Sequence, residues 1–155
     1  PDPPHPPRPP PPQPPPPLGH ALVPPPSPAG GQLYHGTAPT VSQLAAEGLI
    51  SPISVGQIDA YDAGLLFART EGHIPAPEST HALAAAIARA RQAKEAAEET
   101  VILLSWSGHG LLDLGAYERY LSQNLEDYAL SDDHLAASEK VFADFPRPQA
   151  LKSTP

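Results

Sequence analysis

The chemically most suggestive stretch of the chain is residues 101–113, which read VILLSWSGHGLLD. An apolar run ends there at Ser107, which is followed by Gly108, His109 and Gly110. Glycine permits positive φ and a close backbone approach, which suits a place where a ligand meets the main chain. The Ser107 hydroxyl can donate or accept a hydrogen bond to such a ligand. The same pattern also fits a tight turn without a ligand, so both interpretations stand at this point.

A nucleophilic serine is the rival catalytic interpretation of this turn. The nucleophile elbow of hydrolases needs a glycine two residues before the serine. Ser105 occupies that position, so a hydrolase serine is disfavoured.

A second group of chemically capable side chains surrounds the loop HIPAPEST and consists of His73, Glu78 and His81. Two prolines interrupt the helix that would align these residues, and no third histidine lies nearby, which disfavours a metal site. Glu78 is more interesting singly, because it lies at a predicted helix N-terminus, where the macrodipole stabilises a carboxylate. It either caps that helix or acts on a ligand.

Alternating helix and strand patterns must position these residues. Helices are predicted from Pro39 with a stop at Gly48, over 57–71 with a stop at Gly72, over about 80–98, near 114–125 and over about 132–143. Strands are predicted over 50–55 and 101–106, the second with the continuous apolar pattern of a strand buried on both faces of a parallel sheet. Ligands bind outside the carboxyl ends of such strands, where Ser107 stands. The fold class is α/β.

Composition excludes several classes of function. The formal net charge of −8, from 9 basic and 17 acidic residues, argues against nucleic acid and against an anionic membrane surface as partners. The chain has no cysteine, and it shows neither a transmembrane run nor a secretory signal. We therefore expect a soluble, cytoplasmic protein.

Residues 1–17 read PDPPHPPRPPPPQPPPP and predict a disordered or polyproline II tail. Such a tract has the form of a ligand for SH3, WW or EVH1 domains, although proline tracts are also common as solvated tails. A non-catalytic adaptor is therefore the alternative function. Residues 146–155 are predicted to be a flexible C-terminal tail.

Three ordered motifs carry a family likeness: YHGTAPTVSQL, LFARTEGHIPAPESTHALAAAI and VILLSWSGHGLLDLGAYERYL. Together they resemble the C-terminal part of the tryptophan synthase β chain, most closely its second, β-like subfamily. The likeness implies that residues 18–145 are a partial domain of a fold-type II, pyridoxal-phosphate-dependent α/β enzyme. It further implies a lyase that joins indole to L-serine, releases water and gives L-tryptophan.

The resemblance also implies roles for single residues on the cofactor side. Ser107 would hydrogen-bond the pyridine nitrogen of pyridoxal 5'-phosphate, and Gly108 and His109 would shape the cofactor pocket. Glu78 matches the family glutamate beside the cofactor ring, which assists proton handling as indole adds.

On the substrate side, the loop 31–36, with Gly31, Tyr34 and Gly36, matches the family segment that lines the substrate. Its backbone carbonyls would contribute to a monovalent-cation site. The family likeness further implies a homodimer and a tryptophan synthase α subunit as partners.

Several family features have no counterpart in this sequence. The family's Schiff-base lysine and glycine-rich phosphate cup are absent, and none of Lys94, Lys140 and Lys152 follows the lysine motif. We therefore expect a fragment that neither holds the cofactor covalently nor turns over substrate. The bulky Trp106 beside Ser107 replaces the usual leucine, which alters the expected pocket. Marginal folding or aggregation is expected, because the apolar faces of 101–104 lack partners.

Overall fold

The computed structural model describes residues 27–29 and 37–127, together with single residues at 133, 136, 137 and 140. Four helices are present in this part: α1 (Pro39–Ala46), α2 (Gln57–Glu71), α3 (Pro77–Glu95) and α4 (Leu114–Leu121). The predicted tails, the loop 31–36 and, apart from those single positions, the predicted helix over 132–143 lie outside the described residues. None of the described helices is long and apolar enough to cross a membrane.

The ends of α1 and α2 follow the local sequence signals. Pro39 stands in the first turn of α1, where its missing N–H has no intrahelical acceptor to lose. Just beyond α1, Gly48 adopts a φ of 72°, and Gly72 caps α2 with a φ of 73°. Glycine reaches this left-handed region without a Cβ clash, so both predicted stops are confirmed.

Helix α3 begins at Pro77, three residues earlier than predicted, and ends at Glu95 rather than near residue 98. The prediction treated both prolines of the preceding loop as helix breakers. Pro75 stays in the loop, but Pro77 starts the helix, because a proline at the first helical position costs no intrahelical hydrogen bond. Ala97 ends the last turn with a φ of 51°.

The two predicted strands are wrong for the described residues. Neither 50–55 nor 101–106 forms a hydrogen-bonded strand, and Pro75 and His109 make one isolated antiparallel bridge there. Val101 is 98% exposed and Leu103 is 97% exposed, which is the opposite of a strand buried on both faces. A strand buried in a sheet needs a neighbouring strand to take up its backbone N–H and C=O groups, and the described residues provide no such strand for 101–106. This part of the chain is helical rather than α/β.

The core lies where α2 packs on α3 and receives Tyr117 from α4. Gly64 permits the close approach, because a Cβ there would lie 2.6 Å from Thr80 Cγ2 and 2.9 Å from Tyr117 Oη. The Tyr61 ring meets Tyr117 edge-on with ring centres 5.1 Å apart, an arrangement that aromatic quadrupoles favour. The α2–α3 pair thus forms a platform for the loop 72–76 and the glycine-rich turn.

Candidate functional site

The Ser-Gly-His-Gly turn is clamped onto the loop that leads into α3. The Ala76 N–H donates to the Gly108 carbonyl oxygen at 2.9 Å, and the Gly110 N–H donates to the Ile74 carbonyl oxygen at 2.8 Å. Gly110 is buried, and a Cβ there would lie 2.3 Å from the Pro75 carbonyl oxygen. Only a residue without a side chain permits this approach of the two backbones. Residues 107–110 and 74–79 therefore form one unit.

Two serines face each other within this unit. The Oγ atoms of Ser79 and Ser107 lie 2.7 Å apart, and the Ser107 N–H donates to Ser79 Oγ at 3.3 Å. Ser79 is 2% exposed, whereas Ser107 is exposed. The hydroxyl of the exposed residue Ser107 is thus held by a buried serine.

A buried tyrosine supports the loop from beneath. The Tyr117 hydroxyl donates to the Pro75 carbonyl oxygen at 2.7 Å. Burial, followed by the Asp113 carboxylate, raises the pKa of Tyr117 to about 12, so its phenol keeps its proton and remains a donor at neutral pH. Burial, together with neighbouring groups that include Tyr117 and Glu78, also raises the pKa of Tyr61.

Glu78 lies in the first turn of α3 and is half-buried. The α3 N-cap residue, Ala76, makes no side-chain cap, so Glu78 places negative charge near the positive end of the helix dipole. Glu78 directly precedes Ser79, the residue whose side chain hydrogen-bonds to Ser107. The structure therefore brings Ser79, the residue after Glu78, into contact with Ser107, which lies 28 residues further along the chain.

The other predicted cofactor-side residues take simpler positions. Gly108 is half-buried, and its carbonyl oxygen accepts from Ala76. His109 is exposed, and its Nδ1 accepts from the Leu111 N–H at 3.3 Å. The substrate-side residues Gly31, Tyr34 and Gly36 lie outside the described residues.

The two histidines weighed as metal ligands each contact a nearby backbone carbonyl oxygen. His73 Nδ1 lies 2.8 Å from the Glu71 carbonyl oxygen, and His81 Nδ1 lies 3.0 Å from the Pro77 carbonyl oxygen. Across the described ranges, no group of three or more histidine, cysteine, aspartate or glutamate residues is placed to hold a metal ion.

Comparison with known proteins identifies relatives of this chain, although no protein-family model matches it. The chain is 53% identical over 111 residues to the tryptophan synthase beta chain of Pyrococcus horikoshii. These residues make up 72% of this chain and 24% of the relative. It is 51% identical over 110 residues to tryptophan synthase beta chain 2 of Aquifex aeolicus, 71% of this chain and 25% of the relative. The resemblance to tryptophan synthase β chains is confirmed.

The match covers only part of each tryptophan synthase β chain. The chain spans about a quarter of the length of the curated relatives it matches. A further relative, tryptophan synthase beta chain 2 of Methanosarcina mazei, is 51% identical over 109 residues. Several relatives carry the name beta chain 2, in keeping with the predicted likeness to the second subfamily.

Two residues of this tryptophan synthase β-like unit were missed by sequence reasoning. Ser79 directly precedes the helix predicted over about 80–98, and Tyr117 lies within the helix predicted near 114–125. Ser79 and Ser107 are 28 residues apart, and no local pattern signals a contact at that separation. The one available signal was the small hydroxyl residue directly after Glu78.

Proposed function

We propose that this chain supplies the pyridine-nitrogen side of a pyridoxal 5'-phosphate site in a tryptophan synthase β-like lyase, which converts L-serine and indole to L-tryptophan and water. The observation that carries the proposal is the exposed Ser107 hydroxyl, held 2.7 Å from buried Ser79 Oγ on a clamped, glycine-bounded turn. A hydroxyl fixed in this way is suited to one directed hydrogen bond with a ring nitrogen. Identity of about 50% to named β chains supports it.

The residues present fit one side of that cofactor only. Ser107 offers a neutral hydroxyl, and half-buried Gly108 and exposed His109 follow it directly, which suits the edge of a pyridine ring. Lys94 lies in the last turn of α3, about 22 Å along the helix from Ser79 at ~1.5 Å per residue, too far to reach the same ring. The covalent attachment and phosphate groups would come from residues outside this sequence, so the chain alone is proposed to be an inactive fragment.

The wider features implied by the resemblance belong to the same proposal. The complete enzyme would have the fold-type II α/β architecture, in which 101–106 pairs with strands outside this sequence. The loop 31–36 would contribute carbonyl oxygens to a monovalent-cation site. The complete enzyme would form a homodimer and accept a tryptophan synthase α subunit as its partner.

Each residue of the unit has a distinct part in the proposed chemistry. When bound, the cofactor stabilises negative charge on the substrate's α-carbon. Ser107 donates a neutral hydrogen bond to the ring nitrogen and supplies no proton to it, which favours elimination and replacement at the β-carbon. Glu78, which matches the family glutamate beside the ring, would assist proton handling as indole adds.

A chimera tests this proposal directly. Residues 37–127 replace the matching segment of the Pyrococcus furiosus tryptophan synthase beta chain 2, which is 50% identical to this chain. L-tryptophan formation from L-serine and indole is then measured. We expect activity that falls about tenfold or more in Ser107→Ala and about a hundredfold in Glu78→Gln, while the matched control Ser105→Ala retains it. Full activity in Ser107→Ala would contradict the assigned role.

The isolated chain provides a second test of the partial site. Pyridoxal phosphate is mixed with the purified chain, which is then dialysed, and the absorbance is recorded. We expect a colourless protein. A retained cofactor band would show that the chain holds its own lysine and phosphate groups, and the fragment proposal would fall.

The proline-rich sequence of residues 1–17 supports the adaptor as a second candidate function. A peptide of residues 1–18 is titrated against SH3 and WW domains. Binding would support the adaptor, and its absence at millimolar concentration would remove it.

A further inference from the structure

We propose that Ser79 is a positioning residue that fixes the Ser107 hydroxyl as a hydrogen-bond donor toward an unprotonated aromatic ring nitrogen. This inference rests on the proposed function and deepens it, because it says which residue sets the direction of the cofactor-side hydrogen bond. Nothing in the local sequence assigns Ser79 this role.

The hydrogen-bond geometry around Ser79 leaves few arrangements. A serine hydroxyl has one hydrogen to donate and two lone pairs. Ser79 Oγ accepts from the Ser107 N–H at 3.3 Å, so its own hydrogen is directed either to Ser107 Oγ at 2.7 Å or to the Gly108 carbonyl oxygen at 3.4 Å. The 2.7 Å separation is the commonest O–H···O distance, whereas 3.4 Å is beyond the usual range.

The competing acceptor is also already engaged. The Gly108 carbonyl oxygen takes the Ala76 N–H at 2.9 Å. The Ser79 hydrogen is therefore best used on Ser107 Oγ, which leaves the Ser107 hydrogen free to point away from the protein. Ser107 is exposed, so this hydrogen is presented to a ligand.

Burial keeps the Ser79 hydroxyl in this contact. Ser79 is 2% exposed, and water therefore does not compete for its hydroxyl as it does at the surface. Ser79 makes its side-chain hydrogen bonds to residues 107 and 108 and not to the turn N-terminal to it in α3. The buried Ser79 hydroxyl therefore restricts the rotation of the Ser107 hydroxyl. A ligand that accepts from Ser107 then pays less conformational entropy to order that hydroxyl on binding.

The test uses the full chain with Ser79→Ala, the restoring variant Ser79→Thr and the matched control Ser105→Ala. One readout is hydrogen exchange at the Ser107 backbone N–H. The other is binding of pyridoxine, which has the ring nitrogen but no aldehyde, compared with 3-hydroxybenzyl alcohol, which lacks the nitrogen. Both are followed by NMR, which also reports whether each variant is folded.

In Ser79→Ala we expect exchange at the Ser107 N–H to accelerate and pyridoxine affinity to fall, each about tenfold. Ser79→Thr restores both, and Ser105→Ala changes neither. In the unsubstituted chain, pyridoxine affinity falls as acid protonates the ring nitrogen, and this pH dependence weakens in Ser79→Ala, where the Ser107 hydroxyl rotates freely.

The failures are distinguishable. If the unsubstituted chain binds pyridoxine no better than 3-hydroxybenzyl alcohol, the proposed cofactor side itself fails, and the role of Ser79 falls with it. If the unsubstituted chain binds pyridoxine selectively and Ser79→Ala binds it equally well, only the inference about Ser79 is overturned. Affinity that rises on protonation of the ring would overturn the donor direction.

Discussion

Two buried tyrosines in one cluster use their hydroxyl groups differently. Tyr117 donates to the Pro75 carbonyl oxygen at 2.7 Å, whereas the Tyr61 hydroxyl is buried and has no hydrogen-bond partner among the described residues. We expect Tyr117→Phe to lower the free energy of unfolding by about 1 kcal/mol. The matched variant Tyr61→Phe removes an unsatisfied polar group and is expected to be neutral or stabilising. Urea denaturation measures both, and equal losses would contradict this difference.

The same phenols make stability fall in alkali. Burial raises the pKa of Tyr117 from 10.0 to about 12. Between these values the unfolded chain loses the phenolic proton while the folded chain keeps it, so the folded state binds more protons and the free energy of unfolding falls as pH rises. We expect this decline to be smaller in Tyr117→Phe. Denaturation midpoints across this pH window measure it, and an unchanged slope would count against a shifted Tyr117.

Gly110 marks the closest backbone approach in the candidate site. A Cβ there would lie 2.3 Å from the Pro75 carbonyl oxygen and 2.9 Å from Ile74 Cγ2. Gly110→Ala must separate the turn from the loop, and we expect it to lower the free energy of unfolding by about 2 kcal/mol. Gly115→Ala, in open space on α4, is the control and should be neutral or slightly stabilising. A tolerated Gly110→Ala would show that the clamp is not tight.

At the scale of elements, the packed pair α2–α3 and the extended segment 101–106 should respond differently when a leucine side chain is shortened to alanine. Leu83 on α3 is 3% exposed, and Leu103 is 97% exposed. We expect Leu83→Ala to cost about 3 kcal/mol and Leu103→Ala less than ~0.5 kcal/mol, as measured by chemical denaturation. A large loss in Leu103→Ala would show that the segment is packed in solution.

At the scale of the whole molecule, the exposed apolar side chains predict self-association. Val101, Leu103 and Leu112 are 98%, 97% and 90% exposed, and apolar patches of this kind drive aggregation when nothing covers them. We expect light scattering to rise with protein concentration and to fall in Leu103→Lys. Val41→Lys, on α1 at 42% exposure, is the control and should change little. A monomer with a sharp cooperative melt would contradict both this and the expected marginal folding.

Much of the helical framework was predictable because its signals are local. Pro39, Gly48 and Gly72 act through their own backbone preferences, and the structure places the ends of α1 and α2 where these residues indicate. The apolar composition of 101–106 predicts a strand buried in a sheet, but such a strand forms only where neighbouring strands pair with it. No local pattern states whether they do, and the described residues provide none.

The sequence by itself determined where α1 and α2 end, and three ordered motifs were enough to predict the resemblance to tryptophan synthase β chains. It also marked Ser107 and Glu78 as the residues to examine. Only the tertiary structure decided that buried Ser79 holds Ser107, that Gly110 meets the Pro75 backbone, and that 101–106 is exposed. The physical reason is that helix ends depend on φ preferences of single residues, whereas these contacts join segments about 30 or more residues apart through packing.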